Sequence, residues 1–169
     1  MQLAGTDGTS IDVYQAVTQM TDESGQSYPL HIDTLLDNAL GATGYYGAFT
    51  ANMHTDSAQH AGSDAIVSSA LSRGVPIVSA KQMLTWLDGR NGSTMGPVTW
   101  TGTAISFTVT PSAGATGLQL MVPTRAGVLR LTGVTLNGAP ATYSVQTIKG
   151  VEYAFVTVAA GQYQASYAP

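Results

Sequence analysis

The sequence predicts an α/β domain over residues 1–91, a linker at 92–97 and an immunoglobulin-like antiparallel β-sandwich over residues 98–169. Three observations predict this arrangement. The first part alternates extended and helical apolar patterns, in the order that builds a parallel sheet with covering helices. The second part alternates apolar and polar residues with a period of two. Charge also changes at the linker, since nine of the ten acidic residues precede it.

Apolar spacing and terminal signals define the elements of the first part. After the turn-prone Asp7–Ser10, apolar residues recur at helical spacing over 11–20. Gly41 and Gly74 lie where two further helices should stop, and Ser79 opens a capping box before a fourth. In chain order the expected elements are a strand Gln2–Gly5, a helix 11–20, a helix Leu30–Leu40, a strand Tyr45–Asn52, a helix Ser63–Arg73, a buried strand Val75–Ser79 and a helix after Ser79.

Short alternating segments predict about six or seven strands in the second part. The segment 104–110 is typical, because its apolar residues alternate with serine and threonine. Asn137-Gly138 and Lys149-Gly150 are expected to turn two hairpins, since both pairs tolerate positive φ. Trp86 and Trp100 flank the linker, and we expect them to bury the junction rather than bind a sugar.

Composition limits the classes of function. Only 9% of the 169 residues are charged, the net charge is −4 and no basic run is present, so nucleic acid is not an expected partner. Without cysteine there is no thiolate nucleophile and no cysteine-based zinc site. We find neither a signal-peptide pattern nor an apolar run of about 18 residues, which predicts a soluble chain with no membrane partner.

The apolar run that ends in His54 and Asp56 predicts the functional site. It reads as a buried strand followed by a helix, and α/β folds place chemistry where strands end. Side chains at i and i+2 of an extended segment share a face. We therefore expect His54 to act as a general acid or base and Asp56 to orient it.

Neighbouring residues extend this candidate site. Substrate contacts are expected from the strand and from a polar loop at 21–27 that would line the same edge. The substrate-binding candidates are Tyr45, Tyr46, Asn52 and Glu23.

A divalent metal is the cofactor that the sequence allows. His60 could return toward His54 and Asp56 and complete a set of donors that suits zinc. Calcium would need a richer oxygen set, for which the candidates are Asp7, Asp12, Asp22 and Glu23. The structural alternative is that His54-Thr55-Asp56 is a hydrogen-bonded loop anchor without a metal.

Serine hydrolase chemistry is the less favoured alternative. The chain has no Gly-x-Ser-x-Gly segment, the turn that presents a nucleophilic serine. Ser57 and Ser63 lie near His54 in sequence, but Ser63 is better explained as a helix-capping residue. A simple hydrolase would instead use His54 as a base on water, with an activated ester or lactone as substrate.

Three segments follow one another in the chain: Phe49–Asp56, Ser63–Arg73 and Gly74–Leu84. Together they resemble the end of a polysaccharide deacetylase barrel of the NodB type. The resemblance implies that His54 is the late-motif histidine, the general acid to the leaving group while a metal-bound water attacks an acetyl carbonyl. The β-sandwich resembles domains appended to secreted carbohydrate-active proteins, which implies secretion and a carbohydrate substrate.

The sequence also departs from that family. The early pair of aspartates and the histidine-x-x-x-histidine that hold the family's metal are missing. About three strands are expected, whereas closing a barrel takes about eight. We therefore expect a barrel fragment whose unpaired sheet edges favour homo-oligomers. Two alternatives remain open: a metal-dependent small-molecule esterase or lactonase, and a non-catalytic carbohydrate-binding or structural module.

Overall fold

A computed structural model describes residues 2–25, 30–41, 44, 47–56 and 58–169. The chain divides into two compact units, one up to Val78 and one from Ser79 to Pro169. Within the described residues, fourteen strands, three α-helices and one 3₁₀ turn form. The prediction of a mixed chain with a β-rich second part is confirmed.

The described residues of the first unit form four short strands, one 3₁₀ turn and two α-helices. Strands β1 and β2 form an antiparallel hairpin, whereas β3 and β4 pair in parallel. The elements are β1 (Gln2–Ala4), β2 (Ser10–Tyr14), β3 (Thr18–Thr21), the 3₁₀ turn (Asp22–Ser24), α1 (Leu30–Leu40), β4 (Thr50–Asn52) and α2 (Ala61–Ser72).

The helix predicted over 11–20 is wrong, because β2 and β3 occupy that segment. The Asp7 carboxylate accepts hydrogen bonds from the Thr9 backbone N–H at 3.0 Å and the Thr9 hydroxyl at 2.6 Å, which closes a turn between β1 and β2. The β-branched Ile11 then pairs with Leu3 in the hairpin, and Val13 lies in the same strand at a register irregularity. Turn chemistry and strand pairing therefore prevail over the helical spacing.

The predicted parallel sheet of three strands is also wrong. Among the described residues only β3 and β4 pair in parallel. The segment 75–79 forms no strand, and Ile77 and Val78 are 50% and 48% exposed. Val75 instead donates its N–H to the Ala70 carbonyl at 2.9 Å and closes the end of α2. The strand predicted at Tyr45–Asn52 is observed only as β4.

Helices α1 and α2 pack together and cover β3, as apolar periodicity predicts. Arg73 connects them: its Nη1 lies 3.0 Å from Asp33 Oδ1, and its Nε donates to Asp37 Oδ1 at 2.8 Å. Both helices are confirmed, although α2 begins at Ala61 rather than at Ser63. Among the described residues of this unit, the buried apolar side chains are Met20, Ile32, Leu36 and Ala70.

The second unit contains one helix and ten strands. They are α3 (Ala80–Gly92), β5 (Thr94–Met95), β6 (Thr99–Trp100), β7 (Ala104–Thr110), β8 (Gln119–Pro123), β9 (Arg125–Ala126), β10 (Leu129–Leu136), β11 (Ala139–Ala141), β12 (Ser144–Ile148), β13 (Val151–Thr157) and β14 (Gly161–Ala168). One antiparallel sheet has the order β11-β10-β14-β7-β5, with β6 on β7 and β9 on β10. A second has the order β12-β13-β8.

Both antiparallel sheets contribute to one core, while the immunoglobulin-like connectivity stays a prediction. The core residues are Phe107, Val109, Val122, Val134, Ala154, Val156, Tyr163, Ala165 and Tyr167. Both predicted hairpin turns are confirmed. Asn137 and Gly138 have φ of 51° and 82°, and Lys149 and Gly150 have φ of 49° and 79°.

Helix α3 belongs to the second unit. Its predicted capping box is present, with Ser79 N donating to Gln82 Oε1 at 2.8 Å. A Cβ at Gly89 would collide with the Ala115 backbone, so glycine permits close packing of α3 on that loop. Thr94 and Met95 pair with β7, so the segment predicted as a linker contributes a strand.

The longest helix in the described part of the chain is α3, with 13 residues. No described helix combines the length and apolar character needed to cross a bilayer.

We predict that Tyr163→Phe destabilises the second unit. The buried Tyr163 hydroxyl donates to the Ala159 carbonyl at 3.0 Å and accepts from the Ala159 N–H at 2.8 Å, while its ring stacks on Phe107. Phenylalanine keeps the stacking but leaves two polar backbone groups without this partner, which should lower the free energy of unfolding by about 1–3 kcal/mol. Chemical denaturation of the variant and the wild-type protein measures this difference in the free energy of unfolding.

The matched control is Tyr143→Phe, because Tyr143 is 38% exposed. It should change the free energy of unfolding by less than about 0.5 kcal/mol. Equal effects of the two substitutions would contradict the structural role of the Tyr163 hydroxyl.

Candidate functional site

The parallel pair β3–β4 positions the candidate site. Thr21 lies opposite Asn52 at the last position of each strand. A register irregularity between Thr18 and Met20 is bridged by a side chain, since Gln19 Oε1 accepts the Thr50 N–H at 2.7 Å. The carboxyl ends of parallel strands meet at one edge, so the residues that follow β3 and β4 come together there.

Asp22 and His54 meet at this edge. His54 Nδ1 lies 2.9 Å from Asp22 Oδ1 and 3.1 Å from Oδ2. The backbone N–H of His54 also donates to Oδ2, at 3.2 Å. The side chain of Asp22 is 16% exposed and that of His54 is 49% exposed. The carboxylate is thus partly enclosed, whereas the imidazole remains open to solvent.

The two groups stabilise each other's charged form. The hydrogen bond from His54 lowers the pKa of Asp22 below 3.8. The hydrogen bond to Asp22, with electrostatic attraction to Asp22, Glu23 and Asp56 in decreasing order, raises the pKa of His54 above 6.5. Between these two pKa values the contact is an ion pair.

This geometry leaves one ring nitrogen of His54 for chemistry. When the ring is neutral, a proton on Nδ1 satisfies Asp22 and leaves the Nε2 lone pair as an acceptor. When the ring is protonated, Nε2 becomes a donor. His54 can therefore remove a proton from water or return one to a leaving group, with Asp22 fixing its orientation.

The predicted site residues are only partly brought together. His54 follows the end of a strand, as predicted, but Asp22 makes the contact that was assigned to Asp56. Asp56 is exposed and adds only the weakest attraction to His54. Asn52 and Glu23 are exposed, Asn52 at the end of β4 and Glu23 in the 3₁₀ turn after β3. The predicted substrate residues Tyr45 and Tyr46 lie outside the described residues.

His60 has a different role from the predicted metal ligand. It caps α2, with its Nδ1 accepting the Ser63 N–H at 3.3 Å. Within the part of the chain that the structure describes, no three histidine or carboxylate side chains converge. The donors proposed for zinc do not form a set there, and Asp7, a calcium candidate, is engaged by Thr9. A metal site stays a prediction.

The sequence contains a signal for Asp22. Thr21-Asp22-Glu23-Ser24 follows Val17-Thr18-Gln19-Met20, a segment that begins with two β-branched residues. Thr21 caps the 3₁₀ turn through its side chain. A strand that ends in such a turn presents its acidic residue at the same edge as the next parallel strand. Assigning 11–20 to a helix concealed this relation.

Comparison with known proteins does not assign the chain to a family. Neither a protein-family model nor a curated protein nor a solved structure matches the chain. The resemblance to NodB-type deacetylases therefore stays a prediction that rests on the quoted segments. The site must be interpreted from its own geometry.

We predict that Asp22→Asn lowers the pKa of His54 toward 6.5, because it removes both the charged acceptor and its electrostatic attraction. NMR titration of the three histidine Cε1–H signals measures the change, with His31 and His60 as internal references. Asp56→Asn is the matched control and should produce a much smaller decrease. Equal decreases in both variants would show that Asp22 is not the principal partner.

Proposed function

We propose that this protein hydrolyses an ester or amide acyl bond, with His54 as the general acid and base and Asp22 as the carboxylate that orients it. The observation that carries the proposal is the bond from His54 Nδ1 to a partly enclosed carboxylate, in a ring that is half exposed. Such a pairing fixes one ring nitrogen and leaves the other for substrate.

The proposed reaction needs only water and the acyl substrate. Neutral His54 takes a proton through Nε2 as water attacks the carbonyl carbon, and a tetrahedral intermediate forms. The imidazolium, stabilised by Asp22, then gives the proton to the alkoxide or amine as the bond to the leaving group breaks. Asn52 and Glu23 supply polar contacts at the same strand ends.

Polysaccharide acyl groups are the proposed substrate class. The segments that resemble NodB-type deacetylases include His54, and that family acts on acetylated sugars.

The proposal also includes secretion and an immunoglobulin-like β-sandwich. The Tyr163 hydroxyl supports the latter, since it returns to the backbone of Ala159, four residues upstream, as in the tyrosine corners of Greek-key sandwiches.

We predict that His54→Gln lowers turnover of a chromogenic acetyl ester, or of an acetylated oligosaccharide, by about 10²–10⁴-fold. His60→Asn is the matched control: it removes an imidazole but keeps a residue suited to capping α2, so turnover should hold. Unchanged turnover in His54→Gln, or no turnover by the folded wild-type protein on either substrate, would refute the proposal.

The pH dependence of turnover tests the role of Asp22. A general base acts in its neutral form, so the raised pKa of His54 places the rise in kcat/KM above pH 6.5. In Asp22→Asn the pKa of His54 falls, so the rise in kcat/KM should move to lower pH. The maximal rate should decrease. A rise at the same pH in both proteins would contradict the assignment of Asp22 as the partner of His54.

Loss of turnover with a chelator, restored by zinc or calcium, would instead favour the metal-dependent esterase or lactonase.

A non-catalytic carbohydrate-binding function is the second candidate, and the exposure of Trp100 favours it. Trp100 is 47% exposed, and its ring meets that of Tyr167 in an edge-to-face arrangement with the ring centroids 5.8 Å apart. Trp86 is less accessible, and its Nε1 donates to the Thr116 carbonyl at 3.1 Å. A half-exposed tryptophan that is held by a second aromatic ring is suited to contact with a sugar ring.

We predict for this second candidate that soluble polysaccharide changes the fluorescence of a Trp86→Phe variant, in which Trp100 is the single tryptophan. Trp100→Ala should abolish the binding measured by calorimetry. No change with acetylated or deacetylated polymer would exclude Trp100 as a binding platform.

A further inference from the structure

Strand β12 forms one edge of the three-stranded sheet. Its five residues, Ser144–Ile148, include no proline and no charge. Four of the five are exposed. Threonine and two β-branched aliphatic residues make it a good β-former. It therefore resembles an interior strand, although among the described strands it pairs only with β13.

The hairpin turn fixes which backbone groups of β12 point outward. Lys149 and Gly150 form a two-residue turn, so the flanking pair Ile148 and Val151 exchange hydrogen bonds. Alternate residues Val145 and Thr147 consequently direct their N–H and C=O groups away from β13. The opposite side of β13 follows the same alternation, since the Glu152 carbonyl accepts the Thr124 N–H at 3.2 Å.

The other sheet edges in the second unit carry protection that β12 lacks. In β11, Pro140 lies opposite Thr135 at an outward-facing position, because Asn137-Gly138 is also a two-residue turn. Pro123 occupies an outward-facing position at the end of β8. Strands β5, β6 and β9 have only two residues each. Proline residues and short strands commonly prevent pairing at a sheet edge. Among the described edge strands of this unit, β12 is long and contains no proline.

We propose that β12 pairs antiparallel with β12 of a second copy of this chain, around a two-fold axis at Gln146. This register places Val145 opposite Thr147 of the second copy, and the reverse, with each pair exchanging two backbone hydrogen bonds. An uncharged strand meets no repulsion from its own copy. Val145, 50% exposed although it faces the same side as the buried Ala154, is covered by the added strand.

Disulfide trapping tests the axis, and the chain suits it because it has no native cysteine. Residues at the axis form a non-hydrogen-bonded pair with Cα atoms about 4.5 Å apart, within disulfide range. Gln146→Cys should therefore give a covalent dimer under mild oxidation. Ser144→Cys, whose copies would lie roughly 13 Å apart, should crosslink at least about ten-fold more slowly. Equal rates, or no dimer from Gln146→Cys, would overturn the proposal.

Sedimentation equilibrium tests the interface without cysteine. Val145→Lys places a charge in the paired edge and should raise the dimer dissociation constant at least about ten-fold. Gln119→Lys adds the same charge at the far edge of this sheet and should change it less than about two-fold. Thr147→Pro, which removes an outward N–H, should also dissociate the dimer. A wild-type protein that remains monomeric at about 1 mM would overturn the proposal.

Discussion

The parallel pairing of β3 with β4 is the constraint on which the candidate site depends. It brings together Asp22 and His54, which are 32 positions apart in the chain. A shift of register by one residue would move Asp22 out of reach of His54. Two contacts hold the register. Met20 is buried against α1 and α2, and the Gln19 side chain accepts the Thr50 N–H where the strands are irregular. The packing of the first unit thus determines the site geometry.

The sequence predicts the features that depend on interactions between residues close together in the chain. The helix Leu30–Leu40, the Ser79 capping box and the turns at Asn137 and Lys149 each depend on neighbours in the chain. The position of His54 at a strand end was also predicted correctly. Asp22 could not be identified in that way, because its contact with His54 is non-local and its own strand was read as part of a helix. Val75–Ser79 has the composition of a buried strand, but without a described partner strand it stays irregular.

The contact that supports the fold also governs the proposed chemistry. Asp22 accepts the His54 backbone N–H and its ring nitrogen, so it fixes the end of β4 and the imidazole together. The charged pair favours this structure, whereas a general base needs the neutral ring. In the neutral ring the Nδ1–H bond to Asp22 persists, and the orientation is kept when the charge is lost. Orientation and protonation state are therefore separate contributions of Asp22.

The most direct test of this account is a nitrogen-15 NMR measurement of the His54 ring above its pKa. If Asp22 holds Nδ1, the neutral ring is the Nδ1–H tautomer and Nε2 has the chemical shift of an unprotonated nitrogen. Asp22→Asn should weaken that preference. A neutral His54 that is protonated on Nε2 in the wild-type protein would contradict the contact, and with it the site that we describe.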